Sequence, residues 1–213
     1  MNQKPEREHL IDALRGAAVL SMVAFHFCYD VFIVLGRDPD WYERRPVFLW
    51  QQSICWCFIL VSGYIWRRGR RGAWKRGLLL NLCGVLVTAV TRLAVPEETV
   101  WFGVLSFLGC AVLLLIPLEK PLEKLPPALY TPLLTPLGLP YPGFRSGDYF
   151  PLLPWFFLYL TGFSLAPLLR RSSVWRELAQ KKLEPLGWIG RKSLWIYLLH
   201  QPLCLALAWV LFR

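Results

Sequence analysis

The sequence predicts an all-α polytopic membrane protein, a single bundle of about seven transmembrane helices. Of its 213 residues, 55% are hydrophobic, and the mean hydropathy is +0.40, well above that of an average soluble domain. Several apolar runs reach roughly 20 residues, which is the length a helix needs to cross a hydrocarbon core. The residues behind the net charge of +10 lie in the gaps between these runs. That distribution is typical of a membrane protein, and it argues against nucleic acid as a partner.

Six transmembrane helices follow directly from the apolar runs. They are expected at residues 11–35, 47–66, 73–95, 101–117, 149–169 and 192–212. Two gaps are strongly basic and are expected in the cytoplasm, with the N-terminus inside. Their basic residues are Arg67, Arg68, Arg70, Arg71, Lys75 and Arg76 in the first gap, and Arg170, Arg171, Arg176, Lys181, Lys182, Arg191 and Lys192 in the second.

A seventh crossing is needed to satisfy both basic gaps. With the N-terminus inside, the fourth run ends inside, but the run at 149–169 must begin outside to end at the second basic gap. Segment 125–144 is apolar and interrupted by prolines, which a bundle tolerates where neighbours satisfy the freed backbone groups. We expect this segment to cross, the C-terminus to lie outside, and one domain to cover residues 1–213. Six crossings plus a re-entrant proline-rich segment are the alternative.

The first predicted helix carries a polar face. Asp12, Arg15, His26 and Asp30 recur at helical spacing, so they lie on one side. An ionisable group at the bilayer centre costs about 2.5 to 3.5 kcal/mol, so it persists where it has a partner, water or a function. The functional interpretation makes His26 a general base that Asp30 orients or makes more basic. The alternative is that both groups simply bond each other or a neighbouring helix.

A second polar face lies on the last helix. Ser193, Tyr197 and His200 are spaced at i, i+4 and i+7, with Gln201 beside them. Pro202 can kink the helix and free a backbone carbonyl. A catalytic role for His200 and a polar stripe that holds helices together fit this pattern equally well.

The stretch GDYFPLLPW, residues 147–155, begins the run at 149–169. Asp148, Tyr149 and Trp155 at a stiff, proline-bounded entrance could hold a sugar or an amine. Alternatively, the helix dipole stabilises Asp148, and the two aromatic residues belong to the interfacial belt.

The basic gaps and the cysteines carry weaker signals. The basic side chains could hold the phosphates of a nucleotide-bearing donor or could serve topology alone. All six cysteines fall in apolar segments, and the Cys55 and Cys57 pair has no second pair, so neither a metal site nor a disulfide framework is expected.

Three motifs together resemble a known family. IDALRGAAVLSMVAFHFCYD, DYFPLLPW and GRKSLWIYLLHQPL are similar to motifs of the bacterial membrane family related to the catalytic domain of heparan-alpha-glucosaminide N-acetyltransferase. The first and last also resemble motifs of the broader acyltransferase superfamily that acetylates surface sugars. The resemblance implies transfer of an acetyl group from cytoplasmic acetyl-CoA to a sugar or amine acceptor outside the bacterial cytoplasmic membrane.

The resemblance also suggests residue roles. His26 matches the first-helix histidine of the surface-sugar enzymes, and Arg15 matches the arginine of the shared RG motif near the donor mouth. The lysosomal member has an asparagine at the position of His26, and its catalytic histidine follows the first helix, so that assignment is not transferred. The chain is shorter than these relatives, so it could lack part of the site or need a second copy.

The expected site combines these signals. His26, Asp30, His200 and Tyr197 are the expected catalytic residues, Arg15, Arg76, Arg191 and Ser193 the donor-binding residues, and Asp148, Tyr149 and Trp155 the acceptor-binding residues. Counting helical rise from the inner end of each helix puts His26 and His200 about 10 Å apart in depth. The alternative to an enzyme is a small transporter or assembly subunit whose buried polar residues are structural.

Overall fold

The computed structural model describes residues 7–96, 99–126 and 149–212 and, in these ranges, forms helices with one isolated β-bridge, between Phe102 and Tyr149. Eight α-helices are present in the described residues. They are α1 His9–Tyr29, α2 Arg45–Tyr64, α3 Ala73–Ala94, α4 Val104–Glu123, α5 Leu152–Arg171, α6 Ser173–Gln180, α7 Leu186–Arg191 and α8 Ser193–Phe212. A π-helical turn, Asp30–Val34, continues α1.

Five helical stretches in the described residues are long and apolar enough to cross a membrane. They are His9–Val34, Arg45–Tyr64, Arg70–Ala94, Val104–Glu123 and Ser193–Phe212. Each overlaps a run expected from the sequence, and α5 forms at the run expected at 149–169. The protein is therefore an integral membrane protein of helical class. The expected crossing at 125–144 lies, after its first two residues, outside the described residues.

The chain divides into two compact units. Unit 1 comprises Met1–Phe58 and Ser172–Arg213, and unit 2 comprises Ile59–Arg171. The organisation of the whole chain as one functional domain stays a prediction.

Unit 1 is held together by α1, which packs against α7 and α8. A Cβ added at Gly16 would collide with the carbonyl of Leu186, and one added at Gly190 would collide with the carbonyl of Asp12. Glycine at both positions therefore lets the backbones of α1 and α7 come into direct contact. Further along α1, Val19, Met22 and Phe25 are buried in an apolar cluster with Trp41 and Ile54.

Unit 2 contains α3 packed on α4, and a pair of ionic contacts near the end of α4. Arg67 lies 2.9 Å from Glu123, and Arg70 lies 2.5 Å from the buried carboxylate of Glu119. Two of the six basic residues of this gap are therefore paired with acidic residues of α4.

Candidate functional site

Two histidines from opposite ends of the chain meet in unit 1. The ring centroids of His26 on α1 and His200 on α8 lie 4.7 Å apart, with an interplanar angle of 64°. The expected separation of about 10 Å in depth is therefore wrong. The structure brings the two imidazoles into direct contact within a largely apolar unit.

The error in depth has a clear cause. The estimate from the sequence placed the inner ends of both helices at the same depth. In the structure, the short helix α7 precedes α8 and crosses α1 where Gly190 contacts Asp12 and Gly16. His26 lies ten residues beyond Gly16, and His200 lies ten residues beyond Gly190. Equal helical rises of about 15 Å from this crossing carry the two rings to the same level.

The hydrogen bond that His200 makes defines its protonation pattern. Nδ1 of His200 lies 2.6 Å from the backbone carbonyl of Tyr197. A carbonyl can only accept, so Nδ1 carries the proton and Nε2 carries the lone pair of the neutral ring. Nε2 is buried and has no hydrogen-bond partner in the described part of the chain. The ring of Tyr197 lies beside it, with centroids 5.6 Å apart.

Asp30 lies one helical turn beyond His26 and is fully buried. The sequence predicts that it orients His26, but its Oδ1 accepts a 2.9 Å hydrogen bond from Nε2 of Gln201. Oδ2 of Asp30 and Oε1 of Gln201 are buried and without partners among the described residues. Gln201 is thus a member of the cluster that the sequence showed only as a neighbour of His200.

The backbone changes form at Asp30. The α-helix ends at Tyr29, and a π-helical turn begins at Asp30 and continues to Val34. Such turns are rare in proteins, and those that occur lie frequently at functional sites. No local sequence signal predicts this turn, so the contact between Asp30 and Gln201 could not be expected from spacing alone.

The expected donor residues of unit 1 lie near the crossing of α1 and α7. Arg15 is ion-paired with Asp12, which also accepts a 2.6 Å bond from Nε of Arg7. Arg191 donates to Glu184 over 2.9 Å. Ser193 is half-buried at the first position of α8.

Glu184 is held as a carboxylate at the surface. The hydrogen bond from Arg191 holds the pKa of its carboxyl below the usual value, and the backbone amide of Trp188 adds a second bond of 2.8 Å. The guanidinium of Arg191 is therefore partly engaged before any anion arrives.

Other expected site residues lie in unit 2. Arg76 is half-buried, and its Nη1 donates to the carbonyl of Gly69 over 3.4 Å. Tyr149 is exposed and forms the bridge to Phe102, and the Trp155 ring packs on Phe150 at 5.1 Å. Asp148 lies outside the described residues.

The cluster in unit 1 offers bases and hydrogen-bond acceptors. It combines two imidazoles, a carboxylate and an amide on facing sides of α1 and α8. Within the described ranges, no three His, Cys, Asp or Glu side chains come together as a metal site requires. Such a set of groups suits the transfer of protons to and from a bound substrate.

The chain matches the model of a known protein family. The family model of the catalytic domain of heparan-alpha-glucosaminide N-acetyltransferase matches residues 7–131 and 122–202. Searches of curated proteins and of solved structures found no match. The matched residues include the histidine pair and cover most of the chain, so the protein belongs to the family of the heparan-alpha-glucosaminide N-acetyltransferase catalytic domain, a family of membrane acyltransferases.

Proposed function

We propose that the protein transfers an acetyl group from cytoplasmic acetyl-CoA to a sugar or amine acceptor on the outer side of the bacterial cytoplasmic membrane. The observation that carries this proposal is the contact between His26 and His200, two buried or half-buried imidazoles 4.7 Å apart in a chain of this family. An acyl transfer needs a group that removes the proton of the attacking nucleophile, and imidazole is the side chain most often used.

The proposed residue roles depend on where each residue lies along the helices of unit 1. His26, His200, Tyr197 and Asp30 form the catalytic centre, where the thioester and the acceptor meet. Arg15, Arg191 and Ser193 lie at the end nearer the α1 and α7 crossing, where basic side chains suit the phosphates of the donor. Arg76 is a further proposed donor residue, and the proposed acceptor residues are Asp148, Tyr149 and Trp155.

The sidedness requires α1 to run outward from the cytoplasm, with the N-terminus inside. The two basic gaps then favour seven crossings in all. Acetyl-CoA then approaches from the N-terminal end of α1, and the acceptor approaches from the far end. Lipid surrounds the helices, and a second copy of the chain stays a predicted partner.

The test is transfer of radiolabel by the full chain reconstituted in liposomes. Labelled acetyl-CoA is supplied with a panel of amino sugars, neutral sugars and alkyl amines, and acetylated product is measured. We expect saturable product formation that falls by about 10² to 10⁴-fold in the double variant His26→Ala/His200→Ala, the range for loss of a proton-transfer residue. The matched control is His9→Ala, which removes the one histidine outside the pair.

Two results would count against the proposal. Wild-type protein that binds no acetyl-CoA and acetylates no acceptor would favour the structural alternative for the buried polar residues. Equal activity in His26→Ala/His200→Ala and in His9→Ala would remove the histidine pair from the reaction. Supplying acetyl-CoA only inside or only outside the liposomes then tests the sidedness.

A further inference from the structure

We propose that His200, rather than His26, is the general base of the acetyl transfer, and that the hydrogen bond between Gln201 and Asp30 positions it. This assignment rests on the proposed acetyltransferase function. It differs from the sequence-based expectation, in which His26 takes the proton and Asp30 orients His26.

A hydrogen bond holds His200 in one tautomer. Its Nδ1–H group donates to the carbonyl of Tyr197, three residues earlier on the same helix. The lone pair is therefore fixed on Nε2, and no tautomer change is needed before this nitrogen takes a proton. The contacts of His26 in the described residues are ring contacts with Phe25 and His200, which fix no tautomer.

The second observation is the burial of Nε2 of His200. His200 is 7% exposed, and Nε2 has no hydrogen-bond partner in the residues that the structure describes. Buried polar atoms are nearly always bonded, so an unpartnered lone pair here is open to an N–H or O–H group of the acceptor. The ring of His26 lies beside the ring of His200, with centroids 4.7 Å apart.

The acceptor nitrogen or oxygen attacks the thioester carbonyl, and Nε2 of His200 takes its proton. The carbon–sulfur bond breaks, the acetyl group stays on the acceptor, and the CoA thiolate leaves with the proton that His200 returns. While His200 is charged, its bond to the Tyr197 carbonyl becomes charge-assisted, which stabilises the imidazolium.

Gln201 supplies the positioning. Pro202 follows it within α8, and a proline lacks the N–H that would bond the carbonyl of Leu198, so the helix loses one backbone restraint beside His200. The 2.9 Å bond from Gln201 to the fully buried Asp30 ties this turn of α8 to the π-helical turn of α1. The bond fixes the rotation of α8 and thereby the direction of the neighbouring His200.

The first experiment replaces His200 by Asn in the full chain in liposomes. The asparagine amide can still donate to the Tyr197 carbonyl, but nothing replaces Nε2. We expect kcat to fall by about 10² to 10⁴-fold while the KM for acetyl-CoA stays within about twofold. His9→Asn is the matched control, with unchanged kcat and KM expected.

The second experiment tests positioning with Gln201→Met, which keeps the length of the side chain and removes the hydrogen bond. We expect kcat to fall by about tenfold or more in the wild-type background. The same change should have little effect in the His200→Asn background, because Gln201 acts through His200. Gln201→Leu replaces Gln201→Met if the latter does not fold.

The outcomes separate this inference from the proposed function. If the wild type is inactive with every acceptor, the proposed function fails, and the role of His200 fails with it. If the wild type is active and His200→Asn keeps its kcat, the base assignment alone is overturned. Equal losses from Gln201→Met in both backgrounds would make Gln201 a structural residue rather than a positioning one.

Discussion

The pairing of Arg191 with Glu184 gives a prediction in which two neighbouring substitutions act in opposite directions. If Arg191 contacts donor phosphates, Glu184 competes with them for the same guanidinium. We expect Arg191→Ala to weaken acetyl-CoA binding by about tenfold, since bonds to charged groups are among the stronger ones. Glu184→Gln should tighten binding by about twofold, because an exposed ion pair is weak. Equilibrium dialysis with labelled acetyl-CoA measures both.

The same pair predicts a pH dependence. Arg191 holds the pKa of Glu184 below its usual value, so the pair persists above that pKa and is lost as the pH falls through it. Acidification should therefore free Arg191 and tighten acetyl-CoA binding, and Glu184→Gln should abolish this effect. Identical affinities in the wild type and both variants would take Arg191 out of the donor site.

The crossing of α1 and α7 is the element that sets the level of the histidine pair. A methyl group at Gly190 would meet the carbonyl of Asp12 and the amide of Gly16, so Gly190→Ala must push the two helices apart. We expect a loss of about 1 to 3 kcal/mol, the usual range for overpacking, and a lower activity because α8 carries His200 away from His26. Thermal unfolding in detergent and the transfer assay measure the two effects.

Gly72→Ala is the control for this substitution, because a methyl group there has nothing within 4 Å. It should leave the activity unchanged and lower the melting temperature less than Gly190→Ala does, because its cost is limited to the N-cap of α3. A melting temperature for Gly190→Ala equal to that of Gly72→Ala would contradict the close packing of α1 on α7.

Helix α7 also explains why the sequence did not predict the depth of His200 relative to His26. Long apolar runs identify α1, α2, α3, α4 and α8, since a membrane solvent demands about 20 apolar residues from each. A six-residue helix with two glycines leaves no such signal, and it lies within a gap that the sequence showed only as basic. The depth of His200 depends on this short helix, so the estimate for the histidine pair was wrong.

For the whole molecule, composition and charge predicted the helical membrane class, and three motifs predicted the family. Helical spacing placed His26 with Asp30 and Tyr197 with His200, because residues three or four apart share a face. Helical spacing could not predict contacts between segments that are distant in the sequence. The bond from Gln201 to Asp30 joins positions 171 residues apart. The spacing of polar residues along one helix does not indicate which other helix packs against it.

The direction of α1 and α8 gives a prediction about the path of the chain. Along unit 1, Gly190 meets Gly16, His200 meets His26, and the Phe212 ring lies 6.3 Å from the ring of Phe27, so later residues of α8 contact later residues of α1. The two helices therefore run the same way, which requires an odd number of crossings between them. Helices α6 and α7 are too short to cross, at roughly 12 and 9 Å.

Four long helices, α2 to α5, lie between α1 and α8 in the described chain, which is an even number. A seventh crossing from the expected segment 125–144 makes the number odd and puts the two termini on opposite sides. We expect reporters fused after Lys124 and after Asp148 to lie on opposite sides of the membrane, and one fused after Arg213 to lie outside. A fusion after Gly72, in the basic gap expected in the cytoplasm, is the reference. Signals from the same side after Lys124 and Asp148, together with a cytoplasmic C-terminus, would instead establish six crossings and a re-entrant segment.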